Sequence, residues 1–156
     1  MAEGFSHLSE DGEVRMVDVG AKTVTERAAV AEAHLHMTEE VRRRLFSGDI
    51  PKGDALAVAR IAAVMAAKRT SELIPLCHPI GLDAVDVTIS ETDTGARIEV
   101  AARVAAKTGV EMEAITAASI GAVALYDMIK GLDRGASIDS VRLVSKTGGK
   151  SGDWTR

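Results

Sequence analysis

The sequence predicts an α+β fold of the ferredoxin-like type, a split βαββαβ arrangement whose antiparallel sheet is covered by helices on one face. Three observations lead there: the elements run strand, two helices, strand, strand, helix, strand; the two middle strands read as a hairpin; and the helices are apolar nearly all round. At 156 residues and 16.4 kDa the chain suits one domain. Its 46% apolar and 27% charged residues are ordinary globular composition. Aromatic residues contribute only 3%, so the core has to be built from Ala, Val, Ile, Leu and Met. Such side chains allow close backbone approach, but each buries little area.

Residues 1–14 are polar and lack periodicity, and they read as a mobile arm free to order against a partner subunit; residues 15–156 form the domain. Residues 15–20 (RMVDVG) suit a short extended segment. In RAAVAEAHLHM, residues 27–37, Ala29, Ala31, Ala33, Leu35 and Met37 share one parity, as in a strand with one apolar face. Thr38, followed by Glu39 and Glu40, is a capped helix start, and Gly48 is its stop. Asp54 caps a second helix, ALAVARIAAVMAAKRT, that is apolar except for Arg60. The prolines of SELIPLCHPI stop that helix and fix the chain direction. AVDVTISE and ARIEVAARVAA alternate as strands around a turn at residues 92–95. A long helix follows over residues 111–130, with Gly131 as its expected C-cap. SIDSVRLVSK alternates imperfectly, as a last strand before a Gly-rich tail.

Because two helices in so small a chain lack a polar face, copies of the chain are expected to supply their cover, and a homo-oligomer is predicted. A net charge of −4 and a pI near 5.6 argue against nucleic-acid binding, as does the lack of aromatic stacking platforms. One cysteine, Cys77, excludes an internal disulfide and any Cys-x-x-Cys motif. The N-terminus shows no signal-peptide pattern, and the longest apolar stretches are broken by Arg60 or by Gly and Ser. No membrane span is expected, and the location is read as cytoplasmic.

Polar residues in apolar or Pro/Gly-fixed surroundings are the chemical candidates. Lys52, in PKGD, sits at a helix start, where the positive end of the helix dipole favours a neutral, basic amine; loop lysines are otherwise usually solvated. His78, between Cys77 and Pro79, suits either a structural histidine or a proton shuttle. Neighbouring side chains in an extended segment point apart, so Cys77 reads as a packed thiol rather than a nucleophile paired with His78. Glu111 and Glu113 open the long helix beside free N–H groups and suit either capping or binding. Asp127 and Lys130 are i, i+3 and form either a surface ion pair or, partly buried at the end of an apolar helix, proton-transfer groups with shifted pKa values. The tail SKTGGKSG is no P-loop: Val144 stands where the first Gly is required, and no helix follows. Its lysines, Lys146 and Lys150, together with Lys52 and Lys130, suit a polyphosphate-bearing small molecule. His34 and His36 share a strand face, but no third ligand is evident, so no metal site is expected.

The segments MVDVGAKTVTERAAVA, GDIPKGDALAVARIAAVMAAKRTSELIPLCHPI, TGVEMEAITAASIGAVALYDMIK and SIDSVRLVSKTGGKSGDW closely resemble the cyclic pyranopterin monophosphate synthase family over residues 15–154. PLCHP, TGVEMEA, YDMIK and SKTGGKSG are specific in combination. The resemblance implies conversion of 3′,8-cyclo-7,8-dihydro-GTP, made from GTP by a radical enzyme, into cyclic pyranopterin monophosphate and pyrophosphate. It also implies the ferredoxin-like fold, a hexamer built as a trimer of dimers, and active sites at subunit interfaces. Carried over by motif, Asp127 is the catalytic acid/base, assisted by Lys52 and Lys130. Leu76, Cys77, His78, Glu111, Met112 and Glu113 bind substrate, with Arg27, Lys146 and Lys150 toward the phosphates. No cofactor is implied; Mg²⁺ on the triphosphate and hand-over from the upstream radical GTP cyclase are left open. The alternative class is a non-catalytic ferredoxin-like domain that senses an amino acid or nucleotide, which would need no lysine–aspartate pair at a helix end.

Overall fold

The computed structural model describes residues 12–150 and 152–156. The expected arm therefore lies, but for its last three residues, outside the described residues, and residues 15–20 form no regular strand. Strand β1 (Thr25–His36) is followed by helices α1 (Glu39–Ser47), α2 (Ala55–Lys68) and the single turn α3 (Thr70–Leu73). The hairpin β2 (Ala84–Thr92) and β3 (Gly95–Ala106) comes next, then α4 (Glu111–Ile129), β4 (Ser137–Thr147) and β5 (Trp154–Thr155). The sheet order is β2-β3-β1-β4-β5, antiparallel throughout. Its first four strands have the ferredoxin-like permutation that the element order predicts.

The alternation in β1 works as the period of two requires. Ala29, Ala31, Ala33 and Leu35 are buried, in register with Ala102, Val100, Ile98 and Ala96 of β3. These side chains meet α4, which packs over β1, β3 and β4 and lies beside α2. Small residues set the closeness of that contact: Ala59 and Ala63 of α2 and Ala114, Ala117, Ala118 and Ala122 of α4 are fully buried. At Gly121 a Cβ would stand 3.2 Å from both Ala63 Cβ and Ile98 Cγ2. By length and composition α4 would cross a membrane, but half of it is buried inside the fold.

Several boundaries differ from the sequence reading. Helix α2 stops at Lys68 rather than Thr70, because Arg69 leaves the helical region (φ −113°). The buried Thr70 hydroxyl then donates to the carbonyls of Ala66 and Ala67, a local competitor for helix bonding. Thr38 occupies the N-cap position of α1 without a side-chain cap bond, and its N–H donates instead to Asp133 Oδ2 at 2.8 Å. Helix α4 ends at Ile129, and its C-cap is Lys130, which keeps right-handed helical backbone, rather than Gly131. The imperfect alternation of β4 comes from two register shifts against β1 and a positive φ at Ser140. The Gly-rich tail is no free end: Gly148, Gly149 and Gly152 turn with positive φ, and β5 pairs back onto β4.

The sheet face away from the helices carries an ion network around one buried carboxylate. Glu32, 5% exposed, accepts from Arg97 Nε at 2.6 Å and Arg142 Nε at 2.8 Å, with His34 Nε2 3.4 Å away. Burial pushes the Glu32 carboxyl up, but these donors outweigh it and hold the pKa at about 2 rather than 4.5. A carboxylate depressed in the folded state stabilises the fold above its unfolded pKa, and that contribution is lost as pH falls toward the folded value. Denaturant unfolding should therefore show a loss of about 3 kcal/mol between pH 4.5 and 2, absent in Glu32→Gln. At the helix contact, Gly121→Val should cost about 1–3 kcal/mol by overpacking, read as a lower denaturant midpoint at unchanged slope.

Candidate active site

The turn after α1 carries Lys52. Buried Ile50 anchors it in the core, and Gly53 closes it, with its N–H donating to the Ile50 carbonyl at 2.9 Å and φ of 101°. The last turn of α4 is fixed by buried Met128 and Ile129, which leaves Asp127 and Lys130 facing outward. Lys52 Nζ donates to the Asp127 carbonyl at 2.5 Å and to Oδ2 at 3.0 Å, while Lys130 Nζ donates to Oδ1 at 2.7 Å. Hydrogen bonds first from Lys130 and then from Lys52 hold the Asp127 carboxyl below its usual range, and Asp127 in turn pushes Lys130 up. Each of the three side chains is about half exposed (44%, 54% and 51%). The expectation of a partly buried pair thus gives way to an open one, in which both charged forms are favoured. A 340 Å³ cavity beside it is lined by Lys52, Tyr126, Lys130, Gly131 and Arg134.

The second cluster lies at the other end of α4. Pro75 and Leu76 form a turn closed by the Cys77 N–H on the Ile74 carbonyl, and Leu76, Cys77 and His78 reach one wall of a 410 Å³ cavity, with Glu111, Met112 and Glu113 on another. His78 Nε2 is 2.8 Å from the Val17 carbonyl. A carbonyl only accepts, so Nε2 carries the proton in this contact. Glu113 is 4% exposed, and desolvation raises its pKa, with the Glu111 charge adding to the rise. Cys77 is not a packed core thiol: it is half-buried in the cavity wall, its pKa raised by desolvation and then by Glu113. The two carboxyl groups, Glu113 and Asp127, are thus driven in opposite directions by their surroundings. Lys146 reaches Glu111 Oε1 at 3.3 Å.

A third cavity, of 690 Å³, is lined by Lys22, Arg27 and Lys150 with Ala21, Thr23, Thr25 and Gly149. Arg27 is held by two main-chain carbonyls, Ala106 at 3.1 Å and Lys107 at 3.3 Å. Gly149 lacks a Cβ where one would collide with the Arg27 guanidinium. Lys22 lines this cavity and also the one around His78, so the two are neighbours. Sequence reasoning missed Lys22 because it lies in a stretch with no periodicity; its one signal is a lysine two residues after Gly20 in GAKT.

The chain therefore brings its candidate residues together in two places rather than one. Leu76, Cys77, His78, Glu111, Met112, Glu113 and Lys146 gather near the start of α4, with Arg27 and Lys150 adjoining. Lys52, Asp127 and Lys130 gather at its end. A rise of 1.5 Å per residue puts Glu111 and Asp127 about 24 Å apart along the helix. Among the described residues no group of three or more His, Cys, Asp or Glu suits a metal ion; His34 pairs with Glu32 and His36 with Asp139.

The sequence profile of the MoaC family matches residues 16–149, which include every site residue named above except Lys150. Curated relatives agree over almost the whole chain. The cyclic pyranopterin monophosphate synthase of Corynebacterium glutamicum (strain R) is 53% identical over 151 residues, 97% of each chain. That of Roseiflexus castenholzii is 54% identical over 151 residues, 96% of each chain. That of Thermomicrobium roseum is 49% identical over 158 residues, covering 100% of this chain and 95% of its own. Matched by the family profile over most of its length and about half identical to these relatives from end to end, the chain belongs to the MoaC family.

Proposed function

We propose that this chain is a cyclic pyranopterin monophosphate synthase of molybdenum cofactor biosynthesis, acting on 3′,8-cyclo-7,8-dihydro-GTP and releasing pyrophosphate. The observation that carries the reading is the Asp127 carboxylate gripped by two lysine ammonium groups in a chain about half identical to synthases of that name. In the cyclisation a sugar-derived hydroxyl oxygen bonds to the α-phosphorus and the α–β P–O bond breaks. The hydroxyl proton needs an acceptor, and the departing pyrophosphate needs neutralisation. A carboxylate held ionised is open to accept that proton at neutral pH, as a weak base. The two ammonium groups balance charge that develops on phosphate and on the rearranging ring. Leu76, Cys77, His78, Glu111, Met112 and Glu113 hold the ring system, and Arg27, Lys146 and Lys150 take the phosphates.

The same reading requires more than one copy of the chain. One small molecule meets both clusters only if the start of one α4 faces the end of another. An apolar stripe on α2, Val58, Ile61 and Met65, together with Val123 on α4, is exposed and supports such contacts. A hexamer arranged as a trimer of dimers satisfies this, and sedimentation should show about six chains per particle. No cofactor is required in this scheme, and Mg²⁺ enters only as a counter-ion of the triphosphate. Receipt of the labile intermediate from the radical GTP cyclase in the cytoplasm completes the proposal.

The test follows pyrophosphate from the purified protein given the cyclised GTP intermediate. Wild type should release it, and Asp127→Asn should lower kcat by about 10²–10⁴-fold with unchanged circular dichroism and particle mass. EDTA should leave turnover at saturating substrate intact. Wild-type rates from Asp127→Asn would remove Asp127 from the chemistry. No pyrophosphate from wild type would favour a non-catalytic binding domain.

A further inference from the structure

We infer that Arg134 is a further phosphate-binding residue, a third cation that the loop leaving α4 sets beside Lys52 and Lys130 to hold the phosphoryl group under attack. The inference rests on the activity proposed above and deepens it by a residue outside its binding set. The loop, residues 130–136, belongs to no helix or strand, yet it is fastened at several points. The Leu132 and Asp133 N–H groups both donate to the Ile129 carbonyl, at 2.8 and 3.1 Å, and so continue the last turn of α4. Both Asp133 carboxylate oxygens accept from main-chain donors, Oδ2 from the Thr38 N–H at 2.8 Å and Oδ1 from the Gly135 N–H at 2.9 Å. The Arg134 carbonyl accepts from the Tyr126 hydroxyl at 3.4 Å.

Held in this way, Arg134 lines the 340 Å³ cavity with Lys52, Tyr126, Lys130 and Gly131. Lys52 and Lys130 are each matched to one oxygen of Asp127. Among the described residues Arg134 forms no salt bridge. Its neighbour Asp133 is turned instead to Thr38 and Gly135. The cavity therefore has three cations against the one carboxylate beside it, and that excess of positive charge is stabilised by a bound anion. A guanidinium presents paired N–H donors that match two oxygens of one phosphoryl group, whereas the two ammonium groups act as point charges. The step at this end of α4 identifies the anion. In the proposed cyclisation the hydroxyl oxygen bonds to the α-phosphorus, its proton passes to Asp127, and the electron pair of the α–β P–O bond leaves with pyrophosphate. An acceptor takes a proton from an oxygen within about 2.6–3.2 Å, so the α-phosphoryl group stands beside Asp127, next to the wall that carries Arg134. Tyr126 is a positioning residue, acting through the loop that carries Arg134.

Two readouts on the intact assembly test this, one of turnover and one of anion occupancy. In steady-state pyrophosphate release, Arg134→Ala should lower kcat by about 10²–10³-fold, the scale of one donor removed from developing charge, with a smaller change in KM and unchanged circular dichroism and particle mass. Arg134→Lys should recover part of the loss, since it keeps the charge and not the fork. Tyr126→Phe should lower kcat by about two- to tenfold in the wild-type background and leave Arg134→Ala unchanged, a dependence that general destabilisation would not give. For occupancy, the arginine reagent phenylglyoxal is applied to wild type and labelling of Arg134 is followed by peptide mass spectrometry, with inorganic pyrophosphate as the probe anion. Pyrophosphate should slow the labelling of Arg134. Wild-type turnover by Arg134→Ala, or labelling that pyrophosphate does not slow, would overturn the inference and leave the proposed activity standing. If pyrophosphate protects Arg134 but wild type releases none from the cyclised GTP intermediate, the activity fails and the anion site stands.

Discussion

Helix α4 imposes the constraint on which the rest of the structure depends: a 19-residue rod whose two ends carry different chemistry. Its middle is small and apolar, so it can lie flat on β1, β3 and β4 and close beside α2. That packing makes the rod rigid in position, and a rigid rod keeps the carboxylate at one end from meeting the binding cavity at the other. Alanine and glycine at the contact thus do more than fill a core poor in aromatic residues. They hold α4 in place, and its 19-residue length sets the distance that, on the proposed reading, a second copy of the chain bridges.

The electrostatics divide along the same line. At the end of α4, Asp127 is matched by two lysines in an open setting, which favours ionised forms and leaves two ammonium groups to steady phosphate charge. At the start, Glu113 is buried and its pKa is raised, in a cavity bordered by a cluster of cations. One chain therefore offers a carboxyl group that resists ionisation and another that favours it, the separation of roles that acid–base chemistry on a single substrate needs. The cations near Arg27 are unusual for an acidic protein because they face one another without acids between them. On the outer sheet face, by contrast, Glu32 holds Arg97 and Arg142 across three strands.

Much of this was legible in the sequence where one local rule decides the outcome. Alternation in residues 27–37 gave the buried face of β1, Asp54 caps α2 through the Ala57 N–H, and Gly48 ends α1 with the left-handed backbone it alone adopts cheaply. The reading lost accuracy where tertiary contacts overrule local preference. Thr38 gives up its cap role while its N–H bonds Asp133, a residue 95 positions away. The tail turns back as β5 because Arg156 N–H and Nε find the carbonyls of Val144 and Leu143. Of the site, Lys52, the PLCHP segment, the glutamates of TGVEMEA and the Asp127–Lys130 pair were each singled out as separate candidates, and only the family resemblance joined Lys52 to Asp127 and Lys130. Their separation was not visible in composition, since it follows from helix length and from which end each motif occupies. Lys22 left almost no trace, because it lies in a stretch that belongs to no helix or strand and has no periodicity to read.

The account turns on whether the two ends of α4 from different copies build one site, and subunit complementation measures that directly. Lys52→Ala and His78→Ala proteins, each inactive alone, are dissociated, mixed and reassembled, and pyrophosphate release is followed. Recovery of activity in the mixture, absent when either variant is reassembled alone, is the result expected of sites shared between chains. A mixture as inactive as its components, at the correct particle mass, would contradict it, since every site would then be drawn from a single chain.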